Sequence, residues 1–140
     1  MWYNPIMVWM LYSSLHGMLS GNMMVLNYTG RKSGKAYRLP VSYKRIDDSL
    51  LTSSYKRRTW WRNLRGGVSV SVHLQGKDKN GQAEVIEDEQ GVMNGITAYI
   101  GGDSRTARMF GVKIGADGQP ESESLHRVAR DQVIVRTVLK

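Results

Sequence analysis

Two segments of the 140-residue sequence carry side chains whose types and spacing point to chemistry. The first is Thr29-Gly-Arg-Lys-Ser-Gly-Lys35. It comes near a nucleoside-triphosphate phosphate loop, but the interval from Gly30 to Gly34 is one residue short, and Ala36 follows Lys35 where that loop needs Ser or Thr. A nucleotide triphosphatase is therefore disfavoured. What survives is a glycine-flanked turn that exposes backbone N–H groups beside Arg31, Lys32 and Ser33, a combination able to hold an anion. A plain hairpin turn with solvated Lys and Arg explains the same residues, and this segment alone does not choose between the two. The second segment, Tyr55-Lys-Arg-Arg-Thr-Trp-Trp-Arg-Asn-Leu-Arg-Gly-Gly67, sets two tryptophans and an asparagine among five bases. On a short helix Trp60 and Asn63 share a face by their three-residue spacing, and so do Trp61 and Leu64. One face can then hold a ring while the other packs inward, and Trp61 is assigned to the core. The same composition suits single-stranded nucleic acid, whose bases stack on rings and whose phosphates follow Lys and Arg. A nucleic-acid-binding module using Trp60 and the 31–65 basic run is thus the alternative from a different functional class.

Other chemistries find little support. The absence of cysteine removes disulfide scaffolds, thiolate-ligated zinc, iron–sulfur clusters, Cys nucleophiles and CxxC redox pairs together, so the chain carries no redox group of its own. His16, His73 and His126 lie far apart with no metal-ligand spacing, and no metal is expected. His73 sits on the polar side of an alternating run and reads as solvated. Gly30-Arg-Lys-Ser33-Gly is not a nucleophile elbow, and Asp47-Asp48 reads as turn chemistry between strands. The formal charge of +8 and pI near 9.9 call for an anionic partner. That charge is local. Residues 1–30 hold no charged side chain, residues 31–65 hold eleven Lys and Arg against two Asp, and the other 75 residues hold nine bases and ten acids.

The length suits one domain, 1–140, because domains cluster at about 100–150 residues. Asn4-Pro5 opens an apolar helix over residues 1–21, with Gly17 and Gly21 as stops. Ser13, Ser14 and His16 interrupt it well short of the roughly 18 residues that a membrane span requires, and no cationic leader precedes it. Burial across the domain is one reading of this helix; a lid or a membrane-touching face using Trp2, Tyr3, Trp9 and Tyr12 is the other. From residue 22 onward short runs alternate with turns: Met23–Thr29, Tyr37–Arg45, Leu50–Ser54, a short helix over Thr59–Arg65, then the alternating Val68–Leu74. Asn80-Gly81 gives the strongest hairpin signal, returning the chain through Gln82–Glu87. Residues 89–110 read as helical in two pieces around Gly101-Gly102, Gly115–Ser124 as a loop, and Gln132–Leu139 as a closing strand. About six mostly antiparallel strands with short peripheral helices predict a mainly β, α+β barrel over 22–140.

The set Tyr28-Thr-Gly-Arg-Lys-Ser-Gly34, Leu39-Pro-Val-Ser42, Ser53-Ser54 and Thr59-Trp-Trp-Arg-Asn-Leu64 resembles the deazaflavin-dependent nitroreductase and quinone reductase family. These are split β-barrel proteins related to flavin-binding pyridoxine-phosphate-oxidase-like domains. The likeness runs from Asn4-Pro5 to the last strand and includes Val112–Gly118 and Arg130–Leu139. It implies coenzyme F-420, a deazaflavin with a phosphate and an oligoglutamate tail, and hydride transfer from the reduced ring to a quinone-like or nitroaromatic acceptor. By position, Arg31, Lys32 and Ser33 would meet the phosphate and tail, Pro40, Val41 and Ser42 would line the ring, and Ser53 and Ser54 would flank it. Lys56 would add a tail contact, as Arg57 and Arg58 also could, while Trp60 and Asn63 would come from the short helix. Tyr12 and Tyr99 are the acceptor-pocket candidates. Within the same fold FMN is the alternative cofactor, haem a further one, and sequestration without turnover an alternative role. The resemblance further implies a cytoplasmic enzyme without nucleic acid as partner, and leaves open a homodimer and a peripheral contact with the inner face of the membrane through residues 1–19.

Overall fold

A computed structural model describes residues 23–140. The helix expected over residues 1–21, its assignment to core, lid or membrane contact, and Tyr12 lie outside the described residues. Among those residues, no helix is long and apolar enough to cross a membrane.

Seven strands form one curled sheet: β1 (Met23–Thr29), β2 (Ala36–Ser42), β3 (Lys44–Ile46), β4 (Ser49–Tyr55), β5 (Val68–Leu74), β6 (Lys77–Ile86) and β7 (Gln132–Leu139). Their order is β2-β1-β5-β6-β7-β4-β3, and every neighbouring pair is antiparallel. The run expected as one strand over Tyr37–Arg45 divides at Tyr43 into β2 and β3, which occupy opposite edges of the sheet. A single bent segment therefore carries the chain from one edge to the other, and the sheet curls into a barrel. β2 pairs only with β1, and β4 pairs with β3 only over Ser49–Leu51, so the free edges of β2 and β4 face each other across a gap. This gap is the split, and the sequence accommodates it: Pro40 has no N–H for a second ladder, so it belongs on an edge strand.

Alternation along β4 feeds two cores. Leu50 points into the barrel with Leu26, Val72, Val133 and Val135, whereas its neighbour Leu51 packs outward with Ile134 against three helices. Those helices are α1 (Glu89–Ile100), α2 (Ser104–Phe110) and α3 (Ser122–Ala129). The break expected inside 89–110 is real. Gly101, at φ +55, ends α1 in the left-handed conformation, and Asp103 opens α2 by accepting from the Arg105 N–H at 3.0 Å.

Three expectations need correction. Asn80-Gly81 is no turn: it lies within β6, Asn80 opposite Ser71 and Gly81 opposite Val70. The hairpin reverses at Gln75-Gly76, whose φ values of 50 and 79 are the positive pair that a two-residue turn needs. Gly81 answers a packing demand, since a Cβ there would lie 2.9 Å from Thr137 Cγ2 and 3.0 Å from the Val138 carbonyl oxygen. His73 is buried rather than solvated, because its cross-strand partner Asp78 meets its Nδ1 at 2.8 Å. The expected loop over Gly115–Ser124 stops early, where α3 begins at Ser122.

Candidate functional site

Three neighbouring hollows, each sharing lining residues with the next, lie along the split and together are called the trough. The first, of about 570 Å³, lies between the turn after β1 and a short 3-10 helix, Trp60–Leu64. Four cationic side chains line it: Arg31, Lys32, Arg62 and Arg65. Arg65 is partly spent, since its guanidinium donates two 2.9 Å hydrogen bonds to Glu87, which holds that carboxyl below its usual range. Most N–H groups of the turn have protein partners as well. Gly30 N donates to the Lys35 carbonyl, Gly34 N to the Gly30 carbonyl, Lys35 N to Ser33 Oγ and Arg31 N to Asn63 Oδ1. Among the described residues, the N–H groups of Lys32 and Ser33 have no backbone or side-chain partner. Gly30 is required here, because a Cβ would fall 2.8 Å from both Ser33 Oγ and Tyr37 Cε2.

An aromatic ladder leads out of this hollow. Tyr37 stacks on Tyr28 with centroids 5.6 Å apart, and Tyr28 leans on Trp60 at 6.3 Å. Burial pushes the Tyr28 phenol well above its ordinary pKa, so it stays neutral. Trp60 is itself buried, and its Nε1 donates to Ser54 Oγ at 3.0 Å, which fixes the helix over the end of β4. Trp61 faces the core as expected, with Arg62 and Arg65 over its ring. Neither indole is the open platform that base stacking needs.

Trp60 is shared with the second hollow, of about 250 Å³, which is the gap itself. Leu39, Pro40, Val41 and Ser42 form its β2 wall, Ser53, Ser54 and Tyr55 its β4 wall, and Arg58 stands at the margin. Ser42, Ser53, Ser54 and Tyr55 continue into the third hollow, of about 140 Å³, which Tyr99 of α1, Met109 and Phe110 of α2, and Gln132 of β7 complete. Phe110 meets Tyr99 edge to face at 5.2 Å. Burial raises the Tyr99 phenol pKa, while the nearby Ser42 hydroxyl pulls the other way.

Arg31, Lys32, Ser33, Pro40, Val41, Ser42, Ser53, Ser54, Trp60 and Asn63 thus line these three adjoining hollows, with Tyr99 in the third. Lys56 is not among their lining residues. Its backbone N–H is held by the Asp131 carbonyl, and its charge acts on Glu87 and Glu89. Sequence reasoning passed over Arg62, Arg65 and Tyr37, although the first two stand in the basic cluster already noted. Met109 and Phe110 had no local signal, because only the packing of α2 brings them to the split.

A model of the F420H(2)-dependent quinone reductase family matches residues 10–94. Comparison with curated proteins finds no match. Among solved structures, a Bacteroides thetaiotaomicron protein proposed to confer 5-nitroimidazole antibiotic resistance superposes with a TM-score of 0.55 at 15% identity, covering 85% of this chain and 73% of its own. A general stress FMN/FAD-binding protein from Xanthomonas citri gives 0.53 at 13% identity, covering 86% and 77%. An FAD- and haem-binding protein from Mycobacterium smegmatis gives 0.54 at 14% identity, covering 85% and 61%. Likeness at these identities establishes a shared fold, the split barrel.

Proposed function

The chain belongs to the F420H(2)-dependent quinone reductase family, and from that premise we propose that the trough binds coenzyme F-420 and presents it to a quinone-like or nitroaromatic acceptor. The observation that carries this reading is the adjacency, with Trp60 as a common wall, of a cationic hollow and a narrow slot whose described walls bring no charge except Arg58 at the margin. A deazaflavin with a phosphate and a glutamate tail has the matching shape, a polyanion at one end and a planar ring at the other. The residues present fit it. Arg31, Lys32, Arg62 and the free N–H groups of Lys32 and Ser33 suit phosphate and carboxylate oxygens. The β2 wall, Pro40 to Ser42, and the β4 wall, Ser53 and Ser54, suit the two faces of a flat ring.

When bound, the reduced deazaflavin supplies the hydride. The protein's part is placement and electrostatics. The walls of the gap hold ring and acceptor against each other and exclude water, which strengthens every polar contact there. Tyr99, kept neutral by burial, donates its phenol hydrogen to an acceptor oxygen and stabilises the charge arriving on it. Ser42 lines the same hollow beside that phenol.

The test is direct. Oxidised coenzyme F-420 added to the purified protein should show fluorescence quenching and tight retention, with FMN and an oligonucleotide as controls. Retention of FMN or oligonucleotide but not of the deazaflavin would refute the reading. A panel of quinones and nitroaromatics with chemically reduced cofactor then identifies the acceptor class.

A further inference from the structure

Asn63 spends both ends of its side chain within the protein. Its Oδ1 accepts from the Arg31 N–H at 3.0 Å, and its Nδ2 donates to the Trp60 carbonyl at 2.9 Å. A primary amide has two N–H donors and two lone pairs, so half of its capacity is committed before any ligand arrives. The bond to Arg31 spans 32 residues of chain and joins two segments that both line the cationic hollow. No ladder connects them: the turn closes the β1–β2 hairpin, and the 3-10 helix follows β4.

We infer that Asn63 is a positioning residue. It fixes the spacing between the anion-holding turn and Trp60, and acts on a bound cofactor through Lys32 and Ser33 rather than by touching it. Two consequences give the bond its value. It consumes the Arg31 N–H, so the turn offers an anion only the two N–H groups that follow. It also holds an exposed turn in one arrangement before binding, which removes an ordering cost that the ligand would otherwise meet. The functional half of this inference rests on the cofactor reading; the structural half does not.

The experiment combines amide exchange of the ligand-free protein with binding of two probes, oxidised coenzyme F-420 and its phosphate-free deazaflavin ring fragment. Asn63→Ala should speed exchange at the Arg31 N–H about fivefold, the factor of one ordinary hydrogen bond. It should weaken the complete cofactor by a similar factor and leave the ring fragment unchanged. Asn63→Asp keeps an acceptor oxygen for the Arg31 N–H but sets its second oxygen against the Trp60 carbonyl, so Arg31 protection should recover only in part, while the added negative charge keeps binding of the complete cofactor weak. In a cycle with Lys32→Ala, the two losses should be non-additive, since the second residue works through the position that the first sets. Unchanged Arg31 exchange in Asn63→Ala overturns the inference, and so does equal weakening of both probes. If wild-type protein binds neither probe, the cofactor reading and the functional half fall together, while the exchange measurement still decides the structural half. Should Asn63→Ala not fold, Asn63→Ser provides the same comparison.

Discussion

Replacing Lys32 and Arg45 separately distinguishes a built anion site from diffuse attraction. Both are exposed cations of the basic 31–65 stretch, and either substitution removes one charge. Their surroundings differ. Lys32 lines the cationic hollow beside Arg31 and Arg62, and its backbone N–H has no partner among the described residues. Arg45 lies on β3, donates from Nε to the Asp47 carbonyl at 3.1 Å, and contributes to none of the three hollows. A hydrogen bond to a charged group is worth about 1.5–3 kcal/mol. Because Lys32 is solvent-exposed, the lower end applies, about 1.5 kcal/mol, or roughly tenfold in affinity. Arg45 acts only through a solvent that screens charges beyond about 8 Å at physiological ionic strength, so its loss should change affinity less than about twofold. The assay is a fluorescence titration of coenzyme F-420 at low and moderate salt. Lys32→Ala should lie about tenfold above wild type in Kd, Arg45→Ala close to it, and the gap should narrow as salt rises. Equal effects of the two substitutions would refute the reasoning, and so would a Lys32 effect that salt leaves unchanged.

Four further outcomes follow from the same geometry. Gly30→Ala forces a methyl to within 2.8 Å of Ser33 Oγ and Tyr37 Cε2, so it should displace the turn and weaken cofactor binding more than Gly118→Ala, which strains a backbone at φ +78 away from the hollows; parallel titrations of the two check this. Gly81→Ala, pressed between Thr137 and the Val138 carbonyl, should cost about 1–3 kcal/mol of stability by overpacking, read from denaturant unfolding. Glu87→Gln should free Arg65 toward the hollow and tighten cofactor binding. Its stability effect has a defined sign: the Arg65 partner lowers the Glu87 pKa from its ordinary 4.5, so wild type gains stability above that value and loses it as pH falls through the lower folded-state pKa. The melting difference between wild type and Glu87→Gln should therefore vanish in acid. Tyr99→Phe should leave cofactor affinity intact and reduce turnover by about 10²-fold, as the loss of a donor to developing charge does; unchanged turnover would remove Tyr99 from the acceptor site.

What the sequence discloses of this fold depends on whether a signal is local. Val68–Leu74 alternates, and β5 has those bounds; Thr59–Arg65 brackets the 3-10 helix within a residue at each end. Both follow from side-chain period and nearby turn residues alone. The errors arise where tertiary contact overrides local preference. Asn-Gly is a strong turn former, yet at 80–81 the close approach of β7 needs a residue without Cβ, and Gln75-Gly76 takes the reversal. His73 is polar and sits on the polar side of its strand, but the exposed Asp78 carboxylate directly across the hairpin partners its ring, and the imidazole itself is buried. The third hollow is the extreme case. Tyr99, Met109 and Phe110 come from two helices whose sequences say nothing of the β2–β4 gap that they close.

Folding also redistributes the charge. Eleven cations in residues 31–65 look in sequence like a track for any polyanion. In the fold Arg31, Lys32, Arg62 and Arg65 meet in one hollow and Arg58 stands at the slot, while Arg57 lies over the Tyr55 ring. Lys56 acts on Glu87 and Glu89, and Lys44 and Arg45 occupy β3. Arg38 lines a separate hollow that includes Ser69 and Ser71 of β5. A nucleic-acid track needs cations spaced along a path with rings open between them. Here the cations of the trough converge, one is already tied to Glu87, and Trp60 and Trp61 are buried. Convergence of that kind matches a compact ligand with its negative charge at one end, and it makes the potential of the hollow depend on Glu87 as much as on any lysine or arginine.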